Sequence, residues 1–354
     1  MGNLFNERKE KSTKGELLSV TLSNGVTKFS DLNKKDNSNI KSGNYKVVKK
    51  NDIPYNSMRM WQGASGVSSY DGIVSPAYTV LVPNRNSNSN FYAVLFKKKS
   101  ILNLFTRFSQ GLTSDTWNLK YPILKDIIVP FTNLEEQKRI FKIFNVINNL
   151  LALYEKKKQL LTQLKQGIVN FLITKNGQKP QLRFSGFNNN WESKSFEKLL
   201  NYEQPTKYIV KKADYISQGT PVLTANKSFV LGYTNETNVY QNIPAIIFDD
   251  FTLESKYVDF PFMVKSSAIK ILTSENSNLF FIYQLLNNQR FVQEGHSRHY
   301  ISVVQKKKVL VPSIQEQNKI SDLIKQLEDN IELNSNTIVL LKKLKEFLLQ
   351  SMFL

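Results

Sequence analysis

The chain has 354 residues, 41% of them hydrophobic, a formal net charge of +19 and no cysteine, which suits two packed domains, excludes disulfides and cysteine-ligated metal, and is compatible with a reducing compartment. No run of about 18 apolar residues is present to span a membrane, and the N-terminus MGNLFN has neither a signal-peptide core nor the Ser or Thr that myristoylation prefers at Asn6, so a cytoplasmic protein is expected. The positive charge favours a polyanionic partner through counterion release from phosphates, although an Asn- and Lys-rich composition of AT-rich origin, with solvated lysines, gives the same balance.

Leu18, Val20 and Leu22 alternate before Asn24-Gly25, and Val26 and Phe29 follow, which predicts a hairpin. Residues 31–44 read as a polar loop, and Tyr45 to Met60 as a strand containing Ile53-Pro54. Trp61 to Gly72 is rich in Gly and Ser, and Gly72 to Val82 reads as another strand. Phe91 to Gln110 has helical apolar spacing, Leu112 to Lys120 is a polar loop, and Ile123 to Val129 leads onward. Asn133 to Thr174 then reads as one long helix. Ile140, Ile147, Tyr154, Leu161 and Ile168 recur every seven residues, and Ile143, Leu150, Leu164 and Phe171 form a second series three residues later, broken at Lys157. This is an a/d coiled-coil seam. Asn133 with Glu136 fits a capping box, and Gly177 and Pro180 close the helix.

A linker rich in Gly, Pro and Asn leads to a second domain near Trp191, where the order repeats. Ile243-Pro244 echoes Ile53-Pro54, residues 266–272 echo 75–81, Phe280 to Phe291 reads as a helix, and Gly295 to Tyr300 echoes Gly111 to Trp117. From Ser313 onward a second long helix begins. A shift of 180 residues lays Glu136-Gln137 on Glu316-Gln317, Ile140 on Ile320, Ile147 on Leu327, Tyr154 on Asn334 and Leu161 on Leu341. So long a period means two similar halves rather than a solenoid. Closer likeness between the helices than between the domains separates a shared frame from individual loops.

No catalytic constellation stands out. The two histidines, His296 and His299, share one loop; no GxxxxGK[ST] phosphate loop and no Asn/Asp-Pro-Pro-Tyr/Phe stretch occurs. Asp249, Asp250, Glu254 and Lys256 resemble a nuclease metal set, but Glu192-Ser193-Lys194 shows how common Glu-x-Lys is. Polar loop clusters suit nucleic-acid reading better: Asn56, Ser57, Arg59, Trp61 and Gln62; Ser114 and Thr116; Thr224, Asn226, Lys227 and Ser228; and His296, Ser297, Arg298, His299 and Tyr300. Arg matches guanine N7/O6, and Asn or Gln matches adenine N6/N7. For each residue an ordinary solvated loop is the competing reading, and for Trp61 a core lid. Glu136 and Glu316 fit helix caps, while Gln137 and Gln317 are left open to a partner.

Val129-Pro130 followed by Leu134-Glu135-Glu136-Gln137 and Ile140, repeated as Val311-Pro312, Ile314-Gln315-Glu316-Gln317 and Ile320, resembles the specificity subunit of type I restriction–modification systems. Residues 58–63 (MRMWQG), 71–78 (DGIVSPAY) and 182–187 (LRFSGF) before Trp191-Glu192 carry the same resemblance. It implies an α+β fold: two target-recognition domains of mixed β-sheet with short helices, joined by two long antiparallel coiled-coil helices with pseudo-twofold symmetry. The expected divisions are recognition domain 1 over 1–131, spacer helix 1 over 132–175, a linker over 176–190, recognition domain 2 over 191–312 and spacer helix 2 over 313–354. Met1 falls about where the repeat places Trp191, so the first domain is expected to lack its opening strand. The resemblance further implies a non-catalytic subunit of a phage-defence system that reads a bipartite site in double-stranded DNA. Its partners would be two methylation subunits, contacted in part by Glu136, Gln137, Glu316 and Gln317, together with restriction/translocase subunits. S-adenosylmethionine, ATP and magnesium would belong to those partners. The competing readings are a stand-alone or silent DNA-binding regulator and a metal-dependent nuclease.

Overall fold

The computed structural model describes residues 1–33, 35, 40, 43–174, 178–212, 214–226, 228–292 and 298–353. The chain divides into two compact units, Met1–Glu155 with Asn336–Leu354, and Lys156–Ser335. Each unit therefore joins one globular domain to a segment of both long helices, a division that cuts across the linear domains.

In the first unit the elements run β1 (Phe5–Glu7), β2 (Leu18–Thr21), β3 (Gly25–Lys28), β4 (Lys46–Val48), β5 (Ile53–Asn56), β6 (Gly72–Val74), β7 (Tyr78–Pro83), α1 (Ser89–Leu95), α2 (Lys99–Phe108), α3 (Tyr121–Leu124) and the start of α4 (Leu134–Leu172). The predicted hairpin forms as β2–β3, with Leu18 opposite Lys28. The stretch read as one strand over Tyr45–Met60 is two strands. Asn51 takes a left-handed φ of 72°, and Asp52 accepts from the Lys49 amide at 2.8 Å and a two-point bond from Arg8. Gly72–Val82 is likewise broken, at a turn in which Tyr78 N donates to Ser75 O at 3.0 Å. The helical stretch 91–110 is two helices, because Lys98 is extended and caps α2. Phe5, Ile53, Tyr55, Tyr92, Phe96, Phe105 and Ile127 form the core.

The second unit runs β8 (Glu192–Ser195), α5 (Phe196–Leu199), β9 (Asn201–Glu203), β10 (Thr220–Leu223), β11 (Val230–Thr234), β12 (Ala245–Asp249), β13 (Ser255–Val258), β14 (Met263–Val264), β15 (Ile269–Thr273), α6 (Leu279–Asn287), β16 (Lys308–Val311) and the start of α7 (Ile314–Ser351). The repeated frame is present in both. In one, β5 pairs antiparallel with β7 and β1 lies on the far side of β7. In the other, β12 pairs antiparallel with β15 and β9 lies on the far side of β15. A helix capped by Asn88 or Asn278 follows in each. The two frames differ at the opening strand. β8 pairs along β16, whereas in the first unit the carbonyl of Ile127 receives the Met1 amino group at 2.6 Å.

Within each unit the long helices run antiparallel. In the first, Phe144 stacks 5.8 Å from Phe353, and farther along α4 Glu155 meets Lys342 at 3.1 Å. In the second, Lys165 meets Glu328 at 2.5 Å, and Val169 and Leu172 share a core with Ile320 and Ile324. The second seam series is shifted by one residue from the expectation. Phe144 is fully buried and Ile143 is 40% exposed, and Leu151 is buried where Leu150 is not. The buried positions therefore alternate by four and three, as Ile140, Phe144, Ile147 and Leu151. The face holding Phe144 is covered by the core of the first globular domain on one flank and by the α7 side on the other. Leu164 and Phe171 also lie outside the seam.

Candidate nucleic-acid interface

Each globular domain is fastened to its long helix by a glutamine. The Gln137 side chain is fully buried. Its Oε1 accepts from the Asn88 amide at 2.8 Å, and its Nε2 donates to Asn86 O at 3.0 Å and Thr132 O at 2.7 Å. Gln317 repeats this: Oε1 accepts from the Asn278 amide at 2.9 Å and Nε2 donates to Pro312 O at 3.0 Å. Asn88 and Asn278 in turn accept from Phe91 and Phe281 amides, each at 3.0 Å, and cap α1 and α6. A primary amide has both the donor and the acceptor that this junction needs. Both glutamines, expected at a partner surface, are thus consumed inside the chain. So is Glu316, 1% exposed, which takes a two-point bond from Arg183 at 2.9 and 2.7 Å. That bond holds the guanidinium pKa above its ordinary value. Glu136 differs: it is exposed and accepts from the Thr132 hydroxyl. Of each expected capping box the N-cap half forms, with Asn133 Oδ1 accepting from Glu136 N at 2.9 Å and Ser313 Oγ from Glu316 N at 3.4 Å, while the carboxylates turn to Thr132 and Arg183 instead of back to the cap.

In the first unit the structure joins the two polar clusters that sequence separates. Leu119 N donates to Ser57 O at 2.8 Å, and Trp61 and Trp117 meet edge to face at 5.2 Å. Arg59, Gln62, Ser114 and Thr116 are exposed on this joined surface. Ser57 is not: it is 2% exposed and hydrogen-bonds Thr79 at 2.9 Å. Asn56 Oδ1 accepts from the Met58 amide at 3.0 Å, and Trp61 Nε1 donates to Met58 O at 3.2 Å, so both shape the turn that presents Arg59. The 111–118 loop is closed by paired bonds between Gln110 and Asn118. It opens on Gly111 at φ +144°, where a Cβ would lie 2.7 Å from Thr116 backbone.

In the second unit a segment read as a nuclease candidate proves to be the bridge. The β12–β13 hairpin is locked by Asp249, whose Oδ1 accepts from Phe251 and Thr252 amides, each at 2.9 Å. Asp250 is buried against Lys270 at 3.2 Å and accepts from Tyr300 N at 2.7 Å, while its carbonyl accepts from His299 N at 3.1 Å. On the other side Thr252 Oγ1 donates to Asn226 Oδ1 at 3.2 Å. The hairpin therefore ties the 224–228 loop to the 298–300 segment. Asn226, Ser228 and Arg298 are exposed and Thr224 half-exposed. His299 and Tyr300 are buried anchors, with burial pushing the Tyr300 hydroxyl pKa up. Lys227, His296 and Ser297 lie outside the described residues. Asp249 and Asp250 are occupied away from Glu254, and no group of three metal-binding side chains occurs among the described residues. Sequence reasoning missed Arg183, Lys270 and the capping asparagines. The 190-residue step from Asn88 to Asn278 was the available signal for the last.

The model of the type I restriction modification DNA specificity domain matches residues 2–163 and again 188–343. A stretch of 123 residues is 50% identical to the EcoR124I/EcoR124II specificity subunit of Escherichia coli, covering 32% of this chain and 30% of that protein. The chain thus spans under a third of that relative's length in the match. A putative type I restriction enzyme MjaX specificity subunit of Methanocaldococcus jannaschii is 23% identical over 297 residues, covering 75% of this chain and 68% of that one. Among solved structures, the S subunit of the type I restriction-modification system from M. genitalium has a TM-score of 0.65 at 17% identity, covering 100% of this chain and 94% of that one. A chain of a type I R-M system solved for its complex assembly and conformational transition has a TM-score of 0.53 at 11% identity, covering 98% and 95%. Both show the same α+β fold. No helix among the described residues is long and apolar enough to cross a membrane.

Proposed function

The chain belongs to the type I restriction–modification DNA specificity family, and on that premise we propose that each of its two units reads one half of a bipartite sequence in double-stranded DNA. The observation that carries this is the paired loop platform. In each unit a rigid frame brings two separate polar loops together, with Arg59, Gln62, Ser114 and Thr116 exposed in one and Asn226, Ser228 and Arg298 in the other. Arginine and amide side chains on a locked backbone are what base edges in the major groove demand, and the +19 charge supplies attraction to phosphates.

The chain has no catalytic role in this reading. α4, with 39 residues at 1.5 Å each, is about 58 Å long and α7 nearly so; antiparallel pairing makes them the ruler for the unread spacer. Ile143, Val146, Leu150 and Leu153 on α4, and Val339, Leu340, Leu344 and Phe347 on α7, are exposed. An apolar stripe of that length suits a docked helix of a methylation subunit, two of which would bind. Restriction/translocase subunits join that core, and S-adenosylmethionine, ATP and magnesium reside in the partners.

The test is exchange of residues 191–312 for another recognition domain, with methylated bases mapped in the reconstituted methylase. One half of the site changes and the other stays. A change in both halves, or in neither, defeats the reading. Adding one heptad to both helices should lengthen the spacer by about three base pairs, since seven residues rise about 10 Å.

A further inference from the structure

Beside the second-unit platform lies an open cleft of about 590 Å³ whose walls include Thr224, Asn226, Ser228, Thr252, Glu254 and Lys265. Glu254 is out of place there. A carboxylate on a face meant for a polyanion is repelled by phosphates unless a hydrogen-bond donor of the nucleic acid meets it. It is exposed, and among the described residues it forms no ion pair. The backbone that carries it is nevertheless fixed. Asp249 N donates to Glu254 O at 2.9 Å, Leu253 N donates to Asp249 O at 2.9 Å, and Leu253 takes the left-handed φ of 61° that closes so tight a hairpin.

The neighbouring amide has a defined polarity. Asn226 Oδ1 is taken by the Thr252 hydroxyl at 3.2 Å, which leaves its Nδ2 hydrogens to face a ligand. The cleft thus offers an amide donor and a carboxylate acceptor from two loops tied to each other. In the major groove adenine is the base that presents the complement on a single ring system, the N7 acceptor beside the N6 amino donor. Guanine offers two acceptors, N7 and O6, and thymine offers O4; a carboxylate repels each. Cytosine offers its N4 amino group with the acceptor beside it, O6, on the paired guanine, so a cytosine is the competing outcome that the experiment must separate.

Resting on the reading of this unit as a half-site reader, we propose that Glu254 and Asn226 together read one adenine in its half-site. Glu254 accepts from the N6 amino group and Asn226 donates to N7. Neither residue moves a proton or makes a bond to the base.

The experiment uses the full chain assembled with methylation subunits, with methylated sites mapped for wild type, Glu254→Ala, Glu254→Gln and Asn226→Ala. One adenine position in a single half-site should lose its preference by about 5- to 150-fold in both alanine variants, the range for one bidentate base contact. Glu254→Gln keeps an acceptor and should retain adenine. Binding to sites with 7-deazaadenine at that position should weaken for wild type and not weaken further for Asn226→Ala. Melting should be unchanged in Glu254→Ala, whose side chain is exposed, and that variant carries the test independently of the Thr252 bond that Asn226→Ala also removes. If the relaxed position is a base other than adenine, or the mapped site is unaltered, this assignment is overturned while the half-site reading stands. Changes in both half-sites would instead defeat the modular reading itself.

Discussion

Replacing Gln137 by Glu separates an internal clamp from a partner contact. The substitution keeps shape and keeps the acceptor facing the Asn88 amide, but it removes the donor. The two bonds from Nε2, to Asn86 O at 3.0 Å and Thr132 O at 2.7 Å, are lost, and a carboxylate oxygen is set against two carbonyl oxygens. Each lost bond is about 1 kcal/mol and the buried mismatch adds a comparable amount, so the junction of α1 with α4 should weaken by about 3 kcal/mol. In a chain of two units a single global unfolding midpoint is not well defined, so local opening is the proper readout. Hydrogen exchange of the isolated chain should accelerate by roughly 150-fold at the Asn88 and Phe91 amides, as about 1.4 kcal/mol is tenfold. Unchanged exchange in the isolated chain, with loss of affinity for the methylation subunits, would refute the clamp and return Gln137 to a partner surface.

Arg183→Ala strips the buried Glu316 carboxylate of its two-point bond and should destabilise the second unit by about 3–5 kcal/mol in urea unfolding; adding Glu316→Gln should recover much of that, and no recovery counts against a charge-pair origin. Lys270→Met leaves Asp250 buried without its cation at 3.2 Å, so exchange at the Tyr300 amide, which Asp250 holds, should rise, and adding Asp250→Asn should bring it back toward the wild-type rate, because no unpaired buried charge is then left. Burial holds the Lys97 pKa down from 10.5 to about 8. The folded state therefore binds fewer protons than the unfolded one across that window, the cost of charging Lys97 is fully present below about pH 8, and stability should rise from there toward 10.5. The gap of about 2.5 pH units at about 1.4 kcal/mol each sets an upper figure of about 3.5 kcal/mol; Lys97→Met should flatten that rise, and an unaltered slope would sink the assignment.

The long helices and their caps were legible in sequence because each depends on residues three or four apart. The Asn133–Glu136 and Ser313–Glu316 caps form as their spacing requires, and the repeat exposed the duplicated architecture. The seam register was not legible. Ile143 stands beside Phe144, Leu150 beside Leu151 and Phe171 beside Leu172, and the series that packing buries is the one periodicity favours less, broken at Lys158 and Lys165 where the other is broken only at Lys157. Only packing against the recognition-domain core and α7 decides that Phe144 and Leu151 go inside. The polar clusters were visible, but which members face solvent was not. Ser57, His299 and Gln137 look as polar as Arg59 and Arg298; long-range bonds to Thr79, Asp250 and Asn88 turn them inward. Composition and periodicity thus determine which segments are helices and which loops are polar, because those are local properties. Which side chains are left exposed is decided by contacts between residues tens of positions apart, which only the folded chain brings together.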